Sequence, residues 1–216
     1  MRIWDLPTRL FHWALVVLIA MQYATGEYHL LDMRWHFWIG YSTLALVAFR
    51  ILWGFFGSQT SRFASFVRAP RAVLAYVKSQ FSTNPQKAIG HNALGGWSVL
   101  IMLVGITVQI VTGLFASDDI DTDGPLVDSV SRRTVKLMTR LHDWNQNLLL
   151  VLIALHILAV VMHLLLKHDD LIVPMITGRK RMPVVETLRF ASAWVALGLF
   201  LACAIAVAGA VWRFGG

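Results

Sequence analysis

Histidine is the residue type in this chain whose placement asks for chemistry. His12, His36, His142, His156 and His163 lie within or beside long apolar runs. A neutral imidazole in hydrocarbon keeps one donor and one acceptor to satisfy, so each needs a partner, a metal or a water-filled cavity. His156 follows His142 by 14 residues. At about 100° per residue the two share one helix face, about 21 Å apart along the axis. That is too far for one metal ion and suits two stacked sites. Zinc ordinarily takes three or four protein ligands, and no cysteine or carboxylate lies among these positions. An iron porphyrin brings four nitrogens of its own, needs two axial groups, and can be buried between helices. With imidazole on both faces it is an electron carrier more naturally than an oxygen-activating centre.

The elements that must position these histidines are membrane helices. The 216 residues are 57% hydrophobic and 14% charged, with a mean hydropathy of +0.62, whereas a soluble domain carries about 25% charged residues. The apolar residues collect into five blocks, 10–25, 36–53, 94–115, 148–166 with a polar lead-in from His142, and 190–211. Each approaches the length that crosses a hydrocarbon core about 30 Å thick. The first block is expected to be a span and not a signal peptide, because no small-x-small site follows it and His12 sits inside it. The single cysteine, Cys203, excludes a disulfide framework or a cysteine-ligated cluster and reads as packing.

Charge orients the blocks. Loop 54–90 carries Arg62, Arg68, Arg71, Lys78 and Lys87 without an acid, and Lys167, Arg179, Lys180, Arg181 and Arg189 follow the fourth block. Loop 26–35 holds Glu27 and Asp32, and loop 116–141 opens with Asp118, Asp119, Asp121 and Asp123, although Arg132, Arg133, Lys136 and Arg140 follow. The positive-inside rule puts the N-terminus in the cytoplasm. His36 and His142 then share the outer level, and His12 and His156 the inner one. Periodicity leaves His163 open as an inner ligand, and His91 lies at the same level; His29 and His168 are loop residues.

Gly40 and Gly95, one turn after His36 and His91, and also Gly105 and Gly113, are places where a flat ring can approach backbone or where helices pack closely. Arg9 beside His12, Arg34 beside His36, and Arg50 on the His36 face are candidates to meet propionates or to snorkel. Trp35, Trp38, Trp53, Trp144 and Trp212 mark span ends as interfacial anchors. Asp143, next to His142, reads as a helix-start cap or a ligand-supporting residue. A net charge of +7 suits anionic lipid headgroups. Nucleic-acid binding is excluded as a reading, since the basic residues flank spans and form no aromatic-interleaved groove.

The segments WDLPTRLFHW (4–13), HFWIGYSTLALVAFRILWG (36–54), IGHNALGGWSVLIMLVGITVQIVTGLFASDDI (89–120) and LHDWNQNLLLVLIALH (141–156) together resemble the bacterial cytochrome b561 superfamily. The nearer resemblance is to the branch holding the b-type cytochrome subunits of nickel-iron hydrogenases. It covers about residues 3–180. It implies an all-α membrane protein of the bacterial inner membrane, with a dihaem four-helix core over 1–180. The implied axial ligands of two haem b groups are His12, His36, His142 and His156, which leaves His91 and His163 as non-ligands. Residues 181–216 add a fifth, C-terminal transmembrane helix. The implied role is respiratory electron transfer between the quinone pool and a periplasmic redox partner, a hydrogenase or a c-type cytochrome. A stand-alone quinone-coupled superoxide oxidase is the alternative. No residue is expected to act as a nucleophile, and Asp128, Asp143, His29, His91 and His163 are the candidate proton acceptors for quinol.

Overall fold

The computed structural model describes residues 1–80, 90–120, 122–181 and 187–214. Lys87 and Asp121, two of the loop charges used to orient the chain, lie outside them. The described residues are helical with no strand, apart from isolated bridges joining Arg2 to Arg179 and Ser117 to Asp123. The helices are α1 (Leu6–Gly26), α2 (Met33–Phe56), α3 (Phe63–Phe66), α4 (Pro70–Ser79), α5 (Ala93–Gly113), α6 (Arg132–Lys167), α7 (Ile172–Thr177) and α8 (Ala193–Phe214).

Among the described residues four helices are long and apolar enough to cross a membrane: α2, α5, α6 and α8. The C-terminal block is therefore one of them. α1 has 21 residues, but Arg9, His12 and Gln22 dilute its hydropathy. The chain is an integral membrane protein, and its surface shows why: Leu155, Leu158 and Leu165 on α6 and Val195 and Ile205 on α8 are exposed, a placement that costs little only in lipid.

The starts of the helices are set by capping residues. Asp5 accepts the Thr8 backbone N–H at 2.8 Å, with Pro7 in the first turn of α1. Asn92 accepts from Gly95 N at 2.7 Å and starts α5. Ser131 accepts from Thr134 N at 3.2 Å and starts α6, and His168, in the left-handed region at φ 48°, ends it. α6 thus runs 36 residues and begins well before its apolar part. This corrects two expectations. Arg132, Arg133, Lys136 and Arg140 stand on the amphipathic first turns of a helix and not in a loop, because no glycine or proline separates Ser131 from the apolar run. Asp143 lies in the middle of that helix, exposed, and caps nothing.

α2 is the central helix. α1 and α8 pack on it, as does α5, and α6 lies along α5. Phe11, Leu46, Phe49, Trp53, Ala196 and Cys203 form one core, which gives Cys203 its packing role; Val47, Leu103 and Ile106 form a second. No packing of similar extent joins α6 to α1 or α2. The helices are therefore arranged as two hairpins, α1–α2 and α5–α6, joined where α5 packs on α2 and standing apart where α6 faces α1 and α2.

One end of the bundle is tied by the N-terminus. Ile3 N donates to Gly178 O at 2.8 Å, Thr60 Oγ1 to Ile3 O at 2.7 Å, and Gln59 N to Arg189 O at 2.9 Å. Asp5 is the knot. Its Oδ2 accepts from Trp53 Nε1 at 3.1 Å and Ser61 Oγ at 3.2 Å, beside the cap bond on Oδ1. These bonds hold together the segments bearing Arg62, Arg68, Arg71, Lys78, Arg179, Lys180 and Arg189, so these basic residues gather at one end, while Arg132, Arg133, Lys136 and Arg140 open α6 at the other. The loops after α1 and α5 form the other.

Candidate functional site

At the basic end, the rings of His12 on α1 and His156 on α6 face each other with centroids 6.5 Å apart and planes inclined by 54°. Two metal–nitrogen bonds of about 2.0 Å, plus the half-width of each ring, fill that distance. His12 Nδ1 is buried and has no hydrogen-bond partner.

Arg50 lies close by and is 2% exposed. Its guanidinium carbon sits 5.2 Å from the Phe63 ring centroid, 5.8 Å from Phe11 and 5.9 Å from Phe66. Asp5 is its opposite charge, and one of its terminal nitrogens is buried without a partner. A buried cation with an unused donor asks for an anion. Arg9 is turned away from this place: its Nη1 donates to Ile176 O on α7, and its Nε is buried without a partner.

His91 packs its ring between Trp4 and Phe66, each with centroids 4.7 Å away, and its Nδ1 is buried and unpartnered. Burial first, and the nearby Arg50 guanidinium second, push its pKa down from 6.5 to about 3, so it is neutral. His163 lies further along α6, its Nδ1 3.8 Å from Asp169 Oδ2, while Asp169 Oδ1 meets Lys180 Nζ at 2.6 Å.

At the opposite end stand His36 on α2 and His142 on α6, the second near enough for its charge to bear on the first. His36 Nδ1 lies 3.1 Å from Thr25 Oγ1. His142 Nδ1 lies 3.0 Å from Gln109 O and 3.2 Å from Thr112 Oγ1. A carbonyl only accepts, so Nδ1 of His142 carries the proton and leaves Nε2 with a free lone pair. Arg34 is exposed in the first turn of α2, and His29 is exposed in the loop before it. Gln146 Nε2 donates to Glu27 at 3.1 Å and bridges the hairpins at this end.

The glycines divide by what their missing side chains admit. A Cβ on Gly113 would stand 2.8 Å from His142 Cε1, and one on Gly26 3.0 Å from His36 Cε1. One on Gly40 would meet Gln22 Nε2 at 3.1 Å, one on Gly95 the capping Asn92 at 3.2 Å, and one on Gly105 Leu149 at 2.9 Å. Sequence reasoning passed over Asp5, although the order Asp-Leu-Pro ahead of an apolar run is a helix-start signal. It also passed over Thr25 and Thr112, which have no apolar periodicity or charge to mark them.

The described residues contain no group of three or more His, Cys, Asp or Glu able to hold a metal ion. What the histidines offer is two imidazoles at each of two levels, in a gap between hairpins. A ligand set of that kind fits a group that supplies its own equatorial nitrogens. Comparison with known families matches residues 3–178 to prokaryotic cytochrome b561. No curated protein and no solved structure matches the chain.

Proposed function

The chain belongs to the prokaryotic cytochrome b561 family, whose members are membrane b-type cytochromes of electron transfer, and from that premise we propose that it is a dihaem subunit linking the quinone pool to a periplasmic redox partner. His12 and His156 would hold one haem b and His36 and His142 the other. Bound there, each haem supplies a one-electron couple at a fixed depth. The proposed core is residues 1–180, with α8 in residues 181–216 added as a further span, which together with α1 makes five. The basic end is the cytoplasmic one by the positive-inside rule, in the bacterial inner membrane, and it borders anionic lipid.

The observation that carries the reading is the pairing of His12 with His156 at 6.5 Å between helices that do not otherwise pack along their length. The chain's own residues bind and orient. Arg50 offers a buried donor to a carboxylate at the inner level, and Arg9, whose Nη1 is taken by Ile176 O, adds positive charge only from the same end of the bundle. Gly40 and Gly95 are proposed to let a flat ring approach the backbone of α2 and α5. His163 at the inner end, and His29, Asp128 and Asp143 at the outer, are the candidate proton acceptors for quinol; His91, held neutral by burial between Trp4 and Phe66, leaves that set. A hydrogenase or a c-type cytochrome is the partner class for the outer end, where the loop of residues 114–131 opens with a run of aspartates.

The test is haem content per chain in detergent-purified protein, with a reduced-minus-oxidised spectrum and reduction by a quinol. Two b haems per chain that a quinol reduces support the reading. One haem or none means that a histidine pair is structural, and the transmembrane relay is then withdrawn.

A further inference from the structure

The last five residues of α1 are Gln22-Tyr-Ala-Thr25-Gly26 and those of α5 are Gln109-Ile-Val-Thr112-Gly113. Each is the end of a 21-residue helix, and each helix leads a hairpin whose second helix bears an outer-level histidine. The two copies of Q-x-x-T-G make the same contacts. Thr25 Oγ1 donates within its own helix, to Met21 O at 2.9 Å or Gln22 O at 3.1 Å, and Thr112 Oγ1 to Val108 O at 2.7 Å or Gln109 O at 3.1 Å. With its proton committed to a carbonyl, each hydroxyl presents only lone pairs to the imidazole beside it. The ring nitrogen facing it is Nδ1, at 3.1 Å for His36 and 3.2 Å for His142. The carbonyl of Gln109 also faces this nitrogen of His142, at 3.0 Å. The glycine that follows is the only residue type that leaves the ring this room, since a Cβ would approach Cε1 to 3.0 Å at Gly26 and 2.8 Å at Gly113.

We propose that the duplicated Q-x-x-T-G helix ends are a positioning motif: they fix His36 and His142 as Nδ1–H tautomers with Nε2 turned to the metal, and so tune the outer haem. This rests on the outer-haem reading above. The physical reason is that an imidazole donating its second N–H to an oxygen is a more basic ligand, held in one orientation. A more basic ligand favours ferric over ferrous iron. The copies differ in one respect. Asn145, three residues after His142, donates to Gln109 Oε1 at 2.7 Å. The matching residue after His36 is Ile39, which cannot, and Gln22 Oε1 is buried without a partner.

The experiment uses the full-length protein in detergent and compares wild type with Thr25→Val, Thr112→Val, Thr25→Ser and Thr112→Ser. Haem per chain, the two midpoint potentials and the low-temperature EPR spectrum of the oxidised protein are recorded. Valine keeps the shape and removes the acceptor. Both valine variants should retain two haems, and both should raise the same one of the two potentials. The ferric preference of that haem should fall about tenfold, ~59 mV for one electron, with a moved EPR signal for the same haem. Thr25→Val should act more strongly than Thr112→Val, because His142 keeps its 3.0 Å bond to Gln109 O. Both serine variants should return wild-type values. Two haems with unmoved potentials and EPR signals in both valine variants overturn the motif and leave the outer haem standing. His36→Ala and His142→Ala each keeping two haems overturn the outer-haem reading itself, and the motif with it. If valine prevents assembly, Gly26→Ala and Gly113→Ala test the same rings, and unaltered spectra in both overturn the proposal.

Discussion

Asp5 is the residue whose loss should reach furthest from its own position. Alanine there removes three acceptances at once. Thr8 N loses its helix cap, worth about 1 kcal/mol. Trp53, which is 0% exposed, is left with a buried N–H and no partner, at about 1–3 kcal/mol. Ser61 keeps Thr8 Oγ1 at 2.7 Å and contributes less. The sum is about 2–4 kcal/mol, an apparent unfolding temperature lower by on the order of 10 °C. Because α1 carries His12, the inner haem should be released before the outer one on heating. Asp5→Asn sharpens the test. Oδ1 serves the cap and Oδ2 serves Trp53 and Ser61, so an amide satisfies one side only and should cost about half as much. The assay is thermal unfolding in detergent, with haem release followed by absorbance. An alanine variant as stable as wild type would refute the reasoning. So would an asparagine variant as damaged as alanine, since that would assign the effect to charge toward Arg50 instead of to the acceptor pattern.

Other outcomes follow from the same geometry. His142→Ala should lower haem content from two per chain to about one and spare the inner centre, while His156→Ala should do the reverse; loss of both in either variant breaks the assigned pairs. Gly96→Ala puts a Cβ 2.4 Å from the Phe66 carbonyl oxygen, backbone that cannot swing aside, and should destabilise by about 1–3 kcal/mol in a denaturant or heat titration. His91 should give stability a pH dependence. Its folded pKa, about 3, lies below the unfolded value of 6.5, so unfolding takes up a proton that the folded site refuses. Stability is fully present above about pH 6.5 and falls as pH drops toward 3. His91→Phe should flatten that slope, and an unchanged slope would locate it elsewhere.

The apolar blocks, the four helices of the core, three of which bear its histidines, and the C-terminal helix were legible in the sequence, because hydrophobic runs of span length have few other solutions. Helix ends were less legible. α6 begins at Arg132 because Ser131 caps it, and an apolar count cannot see a cap; His168 stops it by a left-handed turn that composition does not mark. α1 was counted as a span on its run of Leu, Val and Ile, yet its polar residues keep it below the hydropathy of the other four.

Residue type and spacing determined by themselves that the histidines sort into two levels, since helix rise is constant and 14 residues fix both face and distance. The sequence also determined that no cysteine-ligated cluster competes for a metal, since Cys203 is the single cysteine. What only the tertiary structure decided is which atoms meet. It set Arg50 beneath three phenyl rings, turned Arg9 to α7, and gave Gly113 to an imidazole ring. It also brought Thr25 and Thr112, 11 and 30 residues from their histidines, onto the same nitrogen. The physical reason is that depth in a membrane follows from local helix geometry, whereas hydrogen-bond partners depend on the rotation of each helix against its neighbour, which packing sets.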